Sequence, residues 1–340
     1  HCKGNGTDNQ TTISEFILLG ISSRQDWNIV LFIIFLTMYI ITVLGNITIV
    51  LAIRLNSHLY HTPMYFLLSN LSLVDICFTT TTVPKILAGT LSGIRKISFS
   101  GCLSQMYFFT AFGITESFLL ASMALDRYVA ICRPLHYATL MSSRICFVLV
   151  AASWLVSHLH SLLHTLLMSR LSFCASNLVP HFFCDVFPLL KLSCSNTVLN
   201  TLLVYTEGNL MVNGALIFIA LSYTFILMAV LRIPSVKGKQ KALSTCGSHV
   251  TVVALLYGTV IWVYFQPSSN FSAENDTLMA SVFYTVVIPT INPAIYSLRN
   301  SEVKQALKRR LIKQGYQNCC FRQNWKGKGS KIPKRELESS

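Results

Sequence analysis

Seven long apolar stretches, almost bare of charge, run through this chain of 340 residues. Residues 27–53, 145–169, 242–265 and 277–298 contain no Asp, Glu, Lys or Arg. Between Arg54 and Lys85 the only charge is Asp75, within 97–125 it is Glu116, and between Lys191 and Arg232 it is Glu207. About 20 apolar residues suffice for a helix to cross the hydrocarbon of a bilayer. Backbone polar groups in lipid must be satisfied internally, which leaves helices or a closed barrel. Barrel strands are shorter and alternate with period two, and these stretches do neither. Charged residues make up 12% of the chain, about half the share usual in a soluble domain. The expected fold is therefore an all-α membrane protein. It is a seven-transmembrane helix bundle over 27–298, followed by a short amphipathic cytoplasmic helix at 299–313 and a disordered basic tail at 314–340.

Basic residues give that bundle a direction. With the amino terminus outside, 20 of the 27 Lys and Arg fall on the cytoplasmic side, at Arg54, Arg127, Arg133, Arg144, in the loop 232–241 and from Arg299 onward. Lys and Arg concentrate in cytoplasmic loops, so the chain reads as a multi-pass plasma-membrane protein with its carboxyl terminus inside. The net charge of +14 is then a topology signal. It implies no nucleic-acid partner, and the basic tail would meet anionic lipid headgroups instead. Glycosylation patterns at Asn5, Asn9, Asn270 and Asn275 all fall outside on this reading, the first two in an extracellular amino-terminal segment, 1–26. Cys102, Cys174, Cys184 and Cys194 also fall outside, where disulfides persist, and four cysteines allow three pairings. Cys319 and Cys320 lie inside, after the amphipathic segment, as a candidate lipidation site or as two free thiols.

Several polar residues sit at membrane depth, where a charge costs roughly 2.5–3.5 kcal/mol on insertion scales. Asp126 and Arg127 stand side by side where the third stretch meets a basic loop. Such a pair can be neutral while shut and expose a guanidinium when opened. Taken alone it reads equally as a snorkelling arginine with its counter-ion. His160 and His164 share a face of the fourth stretch at a spacing that can hold a metal, but the sequence offers them no evident third ligand. His181-Phe-Phe-Cys184-Asp185 has the composition of a metal box, which requires Cys184 to be a free thiolate. The expectation is no metal beyond a sodium ion.

Motifs at corresponding depths carry a more specific likeness. Gly45-Asn46 lies in the first span, and Pro63-Met-Tyr-Phe-Leu-Leu-Ser-Asn70 opens the second, with Asp75 at its middle. Asp126-Arg127-Tyr128 ends the third, and Ser222-Tyr223 lies low in the fifth. Lys241-Ala-Leu-Ser-Thr-Cys-Gly-Ser-His249 opens the sixth, and Pro289-Thr-Ile-Asn-Pro-Ala-Ile-Tyr-Ser-Leu-Arg-Asn300 closes the seventh. Together, over about residues 14–313, these resemble the olfactory (odorant) receptors of the rhodopsin-like (class A) G-protein-coupled receptor family. One departure is Leu125 before the acid–arginine pair, where the family usually has tyrosine. The tail is also long for the family.

The resemblance implies a mechanism and a set of sites. The activation switch would comprise Asp126, Arg127, Tyr128, Tyr223, Asn292, Pro293 and Tyr296, with Arg127 paired to Asp126 at rest and turning toward Tyr223 and Tyr296 on activation. Asn46, Asp75 and Glu116 would form a mid-membrane polar site in which the two carboxylates share a sodium ion, a proton or a hydrogen-bonded network. Cys102 would bridge to Cys184, and Cys174 to Cys194. A small, mostly uncharged odorant would bind among Phe109, Thr110, Gly113, Ile114, Glu207, Tyr257, Val260, Ile261, Tyr264 and Thr285, and a stimulatory or olfactory heterotrimeric G protein would then raise cAMP. The alternative is a receptor of the same fold for a non-odorant small molecule outside the olfactory epithelium. A retinal protein is disfavoured because 277–298 contains no lysine for a Schiff base. No Gly-x-Gly-Asp or Gly-x-Ser-Gly motif supports an intramembrane hydrolase, so no enzymatic activity is expected.

Overall fold

The structure, a computed structural model, describes residues 14–21, 27–174, 176–265 and 278–299. Seven helices in it are long and apolar enough to cross a membrane. They are span one Asn28–Arg54, span two Pro63–Ser92, span three Phe99–Cys132, span four Ser143–Ser169 and span five Val198–Leu231. Span six is the helix Val236–Phe265, apolar over Cys246–Val263, and span seven is Leu278–Tyr296. The seven-helix bundle read from hydropathy is therefore what the chain forms. The glycosylation sites Asn5, Asn9, Asn270 and Asn275, the segment 300–313, the tail 314–340 and Cys319 and Cys320 lie outside the described residues.

Local sequence accounts for the helix ends. Pro63 opens span two at a position whose N–H has no helical partner to lose. Gly93 closes it at φ +69°, a left-handed conformation that suits glycine. Ser98 caps span three, its Oγ accepting from Gly101 N at 3.1 Å.

Burial then ranks the spans. Span three is 67% buried along its apolar window and span one only 11%, so span three is the axis of the bundle and span one its rim. Exposed apolar side chains such as Ile29, Leu44, Leu155, Leu221 and Phe225 cover the outside, as lipid requires. Many hydroxyls in the spans return to their own helix. Thr48 bonds to the Leu44 carbonyl, Thr80 to Ile76, Ser153 to Leu149 and Thr224 to Ala220, so these hydroxyls are not left unmet in hydrocarbon.

A small sheet, absent from the sequence reading, closes one end. Strand β1, Glu15–Leu18, pairs antiparallel with β2, Lys96–Ser98, and parallel with β3, Leu178–Val179. Phe16 is wholly buried beneath it, edge-on to Phe173 and 6.0 Å from Phe99. The segment before span one thus docks on the loop between spans four and five.

Two disulfides pin that loop. Cys102 at the start of span three joins Cys184, and Cys174 joins Cys194. Gln105, one turn further along span three, completes the attachment. Its Oε1 accepts from Cys184 N at 2.9 Å, and its Nε2 donates to the Thr81 carbonyl of span two at 3.1 Å. We call this the disulfide end, and the opposite one the Arg127 end.

Candidate functional site

Beneath the disulfide-pinned loop lies a cavity of about 230 Å³, bounded by spans two to seven. Of the residues expected to contact a ligand, Phe109, Thr110, Gly113, Ile114, Tyr257, Val260 and Ile261 line it. Phe78, Ser117, Asn209, Val212, Asn213, Leu256 and Tyr284 complete much of the wall, with Asp185, Val186 and Phe187 from the loop. The walls are mostly apolar, with a few hydroxyls and amides and the ionisable side chains of Glu116, His160 and His164 among them. This suits a small, weakly polar molecule, and the volume lies below the usual range for ligand pockets.

Two expected contacts fall elsewhere. Thr285 is fully buried within span seven and returns its hydroxyl to the Ser281 carbonyl at 2.6 Å. Glu207 is turned toward span four, with Oε1 2.7 Å from His160 Nδ1 and Oε2 3.1 Å from His164 Nε2. Its neighbours Val204, Tyr205 and Gly208 line the cavity instead. A π-helical turn at Val204–Gly208 sets this register, which no hydropathy pattern announces. The side chain of Tyr264 lies outside the described residues.

The His181–Asp185 stretch is not a metal box. Cys184 is committed to its disulfide, and Asp185 Oδ1 accepts from Val186 N at 2.7 Å. His181, 7% exposed, instead docks the loop on the bundle, its Nε2 3.3 Å from Ser281 Oγ of span seven. Burial pushes its imidazole down to about 3.

The mid-membrane acids Asp75 and Glu116 are both buried, and Glu116 lines the floor of the cavity. Asp75 Oδ2 accepts from Asn292 Nδ2 at 3.0 Å, tying span two to span seven. Asn46 Nδ2 donates to the carbonyls of Thr42 at 3.0 Å and Pro289 at 3.4 Å, tying span one to span seven. One oxygen on each of Asn46, Asp75, Glu116 and Asn292 accepts no hydrogen bond among the described residues. A buried oxygen without a hydrogen-bond donor is costly unless a proton or a cation meets it.

Toward the Arg127 end, the structure departs from the expected resting pair. Asp126 accepts from the Tyr137 hydroxyl at 2.8 Å, and among the described residues Arg127 forms no ion pair. Span three continues to Cys132, so the pair sits about one and a half turns inside the helix end. Tyr137, on the following loop, can reach back to the carboxylate. Burial and the adjacent carboxylate push the Tyr137 phenol upward, so it stays a donor.

Tyr223 is engaged as well. His249 Nε2 lies 3.0 Å from the Leu120 carbonyl, which can only accept, so Nε2 carries a proton. In the neutral ring Nδ1 is then the acceptor for the Tyr223 hydroxyl, 2.8 Å away. This chain links spans five, six and three through a buried histidine to which the sequence reading gave no role. Tyr128 meets Phe225 edge-on at 6.0 Å, and Tyr296 is buried with its hydroxyl unpartnered among the described residues.

A seven-helix bundle with a loop-covered cavity near one end and an Asp–Arg–Tyr run, its aspartate buried, near the other has the build of a seven-transmembrane receptor. The family model described as olfactory receptor matches residues 35–314. Olfactory receptor 1f45 of Rattus norvegicus and olfactory receptor 1F1 of Homo sapiens are each 56% identical over 301 residues, covering 88% of this chain and 96% of theirs. Olfactory receptor 1468 of Rattus norvegicus is 51% identical over 312 residues, covering 92% of this chain and 99% of its own. The chain belongs to the olfactory receptor family.

Proposed function

We propose that the chain is an odorant receptor of the plasma membrane, with its disulfide end outside. It takes a small, mostly uncharged volatile molecule into the lidded cavity and activates a stimulatory or olfactory G protein at the Arg127 end, raising cAMP. The observation that carries this reading is the position of the cavity. Its walls include Tyr257, Val260 and Ile261 of span six, and about two turns further along that helix His249 latches it to spans three and five. A ligand shifts such an equilibrium only by its differential affinity for the two states. Contacts that favour a displaced span six would compete with the bond from His249 to Leu120. An apolar crevice between spans five and six, lined by Tyr223, Cys246 and Val250 among others, gives span six room on that side. The unpartnered oxygens of Asn46, Asp75, Glu116 and Asn292 would hold a sodium ion or share protons at rest, keeping spans one, two, three and seven together.

The test is a surface-tagged chain with a cAMP reporter, screened against a chemically broad odorant panel, with Arg127→Ala in parallel. The expected result is a ligand-dependent rise in cAMP that Arg127→Ala abolishes while still reaching the surface. A response that survives Arg127→Ala would remove the switch from the mechanism. Responses confined to non-volatile metabolites would move the ligand outside the odorant class.

A further inference from the structure

At the edge of the cavity stands a cluster that the proposed switch does not use. His160 and His164, four residues apart on span four, are both buried, with ring centroids 4.4 Å apart. From span five, Glu207 divides its carboxylate between them at 2.7 Å and 3.1 Å. The three donor atoms lie within 4.8 Å of one another, and among the described residues no other three His, Cys, Asp or Glu gather in this way. We propose that His160, His164 and Glu207 form a site for a zinc-type divalent transition-metal ion, bridging spans four and five beside the ligand cavity.

The chemistry of the donors argues for this class of ion. Two imidazoles and one glutamate are the protein ligands of zinc sites that keep a fourth position open. Magnesium and calcium require oxygen donors and are poorly served by imidazole. Metal–ligand bonds of about 2.0–2.1 Å place tetrahedral donors roughly 3.3 Å apart, so the observed spacing needs only small side-chain shifts. Each facing nitrogen must be bare to ligate. A neutral imidazole achieves that by carrying its proton on the other ring nitrogen, so the ion replaces two hydrogen bonds to the carboxylate with three coordinate bonds.

Backbone geometry points the same way. Glu207 lies in the π-helical turn Val204–Gly208, and one extra residue in a turn rotates the helix before it by about 100° relative to the helix after it. Such turns recur at functional sites. Here the turn faces the carboxylate toward span four while Tyr205 and Gly208 stay on the cavity. His160 and His164 also line the cavity, so the fourth position opens into it and takes water or an electron-pair donor from a bound ligand. The cavity itself, on which both imidazoles open, provides a way in. None of this depends on the signalling reading, and its test reads the metal directly.

The full chain, purified and reconstituted in lipid nanodiscs after chelator treatment, is titrated with Co²⁺, whose visible absorption reports four-coordinate binding. The wild-type protein should show a band that saturates at one equivalent, that Zn²⁺ displaces and that Mg²⁺ leaves unchanged. His164→Ala and Glu207→Gln should each weaken Co²⁺ binding at least about tenfold. Glu207→His, which restores a third ligand, should keep the band at an affinity near that of the wild type. Non-reducing peptide mapping of the Cys102–Cys184 bridge checks folding in each case. A wild-type protein without a band, a correctly bridged His164→Ala with unchanged affinity, or a correctly bridged Glu207→His without a band would each overturn the site.

Discussion

Gly45 marks a close approach of spans one and seven. A Cβ on Gly45 would stand 3.0 Å from the Cβ and 3.1 Å from the Cγ of Pro293. The proline ring cannot turn aside, because its φ is fixed by covalent geometry and its neighbour Asn292 is held by Asp75 at 3.0 Å. Gly45→Ala must therefore push the two spans apart, and overpacking of this kind costs about 1–3 kcal/mol. Gly214 in span five provides the control, since a Cβ there meets nothing within 4 Å. Alanine at that site should be neutral or stabilising by up to about 1 kcal/mol through helix propensity. Thermal unfolding of the detergent-purified variants should show a lowered Tm for Gly45→Ala and an equal or raised one for Gly214→Ala. Equal Tm values for the two variants would mean that the spans are not in close contact at Gly45.

The loop between spans four and five is the element whose order rests most on covalent bonds. Cys102–Cys184 closes a separation of 82 residues and Cys174–Cys194 one of 20. Loop-closure entropy assigns them about 4.5 and 3 kcal/mol respectively. The longer bridge also fixes Cys184 N against Gln105 Oε1. Replacing Cys102 and Cys184 together by Ala should therefore lower Tm further than replacing Cys174 and Cys194 together. The reverse order would show that the loop is held chiefly by its apolar contacts. Elements legible in the sequence divide from the others along the same line, local against distant. The spans were legible because hydrophobic length and sparse charge are properties of contiguous sequence. The sheet was not, because β1, β2 and β3 are four, three and two residues long and come from three distant segments. His160 and His164 were visible as a pair on one helix, but Glu207 lies 43 residues beyond His164 and reaches it through a π turn. Tyr137 took the place expected for Arg127 beside Asp126 because a loop returned to the helix, and nothing in its local sequence signals that return.

Across the whole molecule, the loop over the cavity meets the bundle at His181. Its ring packs on Phe182 and Phe183, with centroids 4.6 Å and 4.4 Å away, and its Nε2 faces Ser281 Oγ at 3.3 Å. Nδ1 has no partner among the described residues, so protonation would place an unsolvated charge between loop and bundle. In the folded protein burial keeps the imidazole neutral down to about 3, whereas an unfolded chain takes up the proton near 6.5. Between these values the unfolded state binds the additional proton, so stability falls as pH falls, while above about 6.5 this contribution is fully present. At pH 5.5 the loss reaches about 1.4 kcal/mol. Other groups titrate over the same range, so the wild-type protein is compared with His181→Phe, which keeps an aromatic ring but cannot take up a proton. Between pH 7.5 and 5.5 the wild-type Tm should drop more than that of the variant. Amide exchange at His181, whose N–H donates to the Val179 carbonyl at 2.7 Å, should accelerate relative to the intrinsic rate in the wild-type protein. The amide of residue 181 in the variant should hold its protection. Identical pH dependence in the two proteins would mean that the ring is already hydrated in the folded state and that the loop docks on the bundle without it.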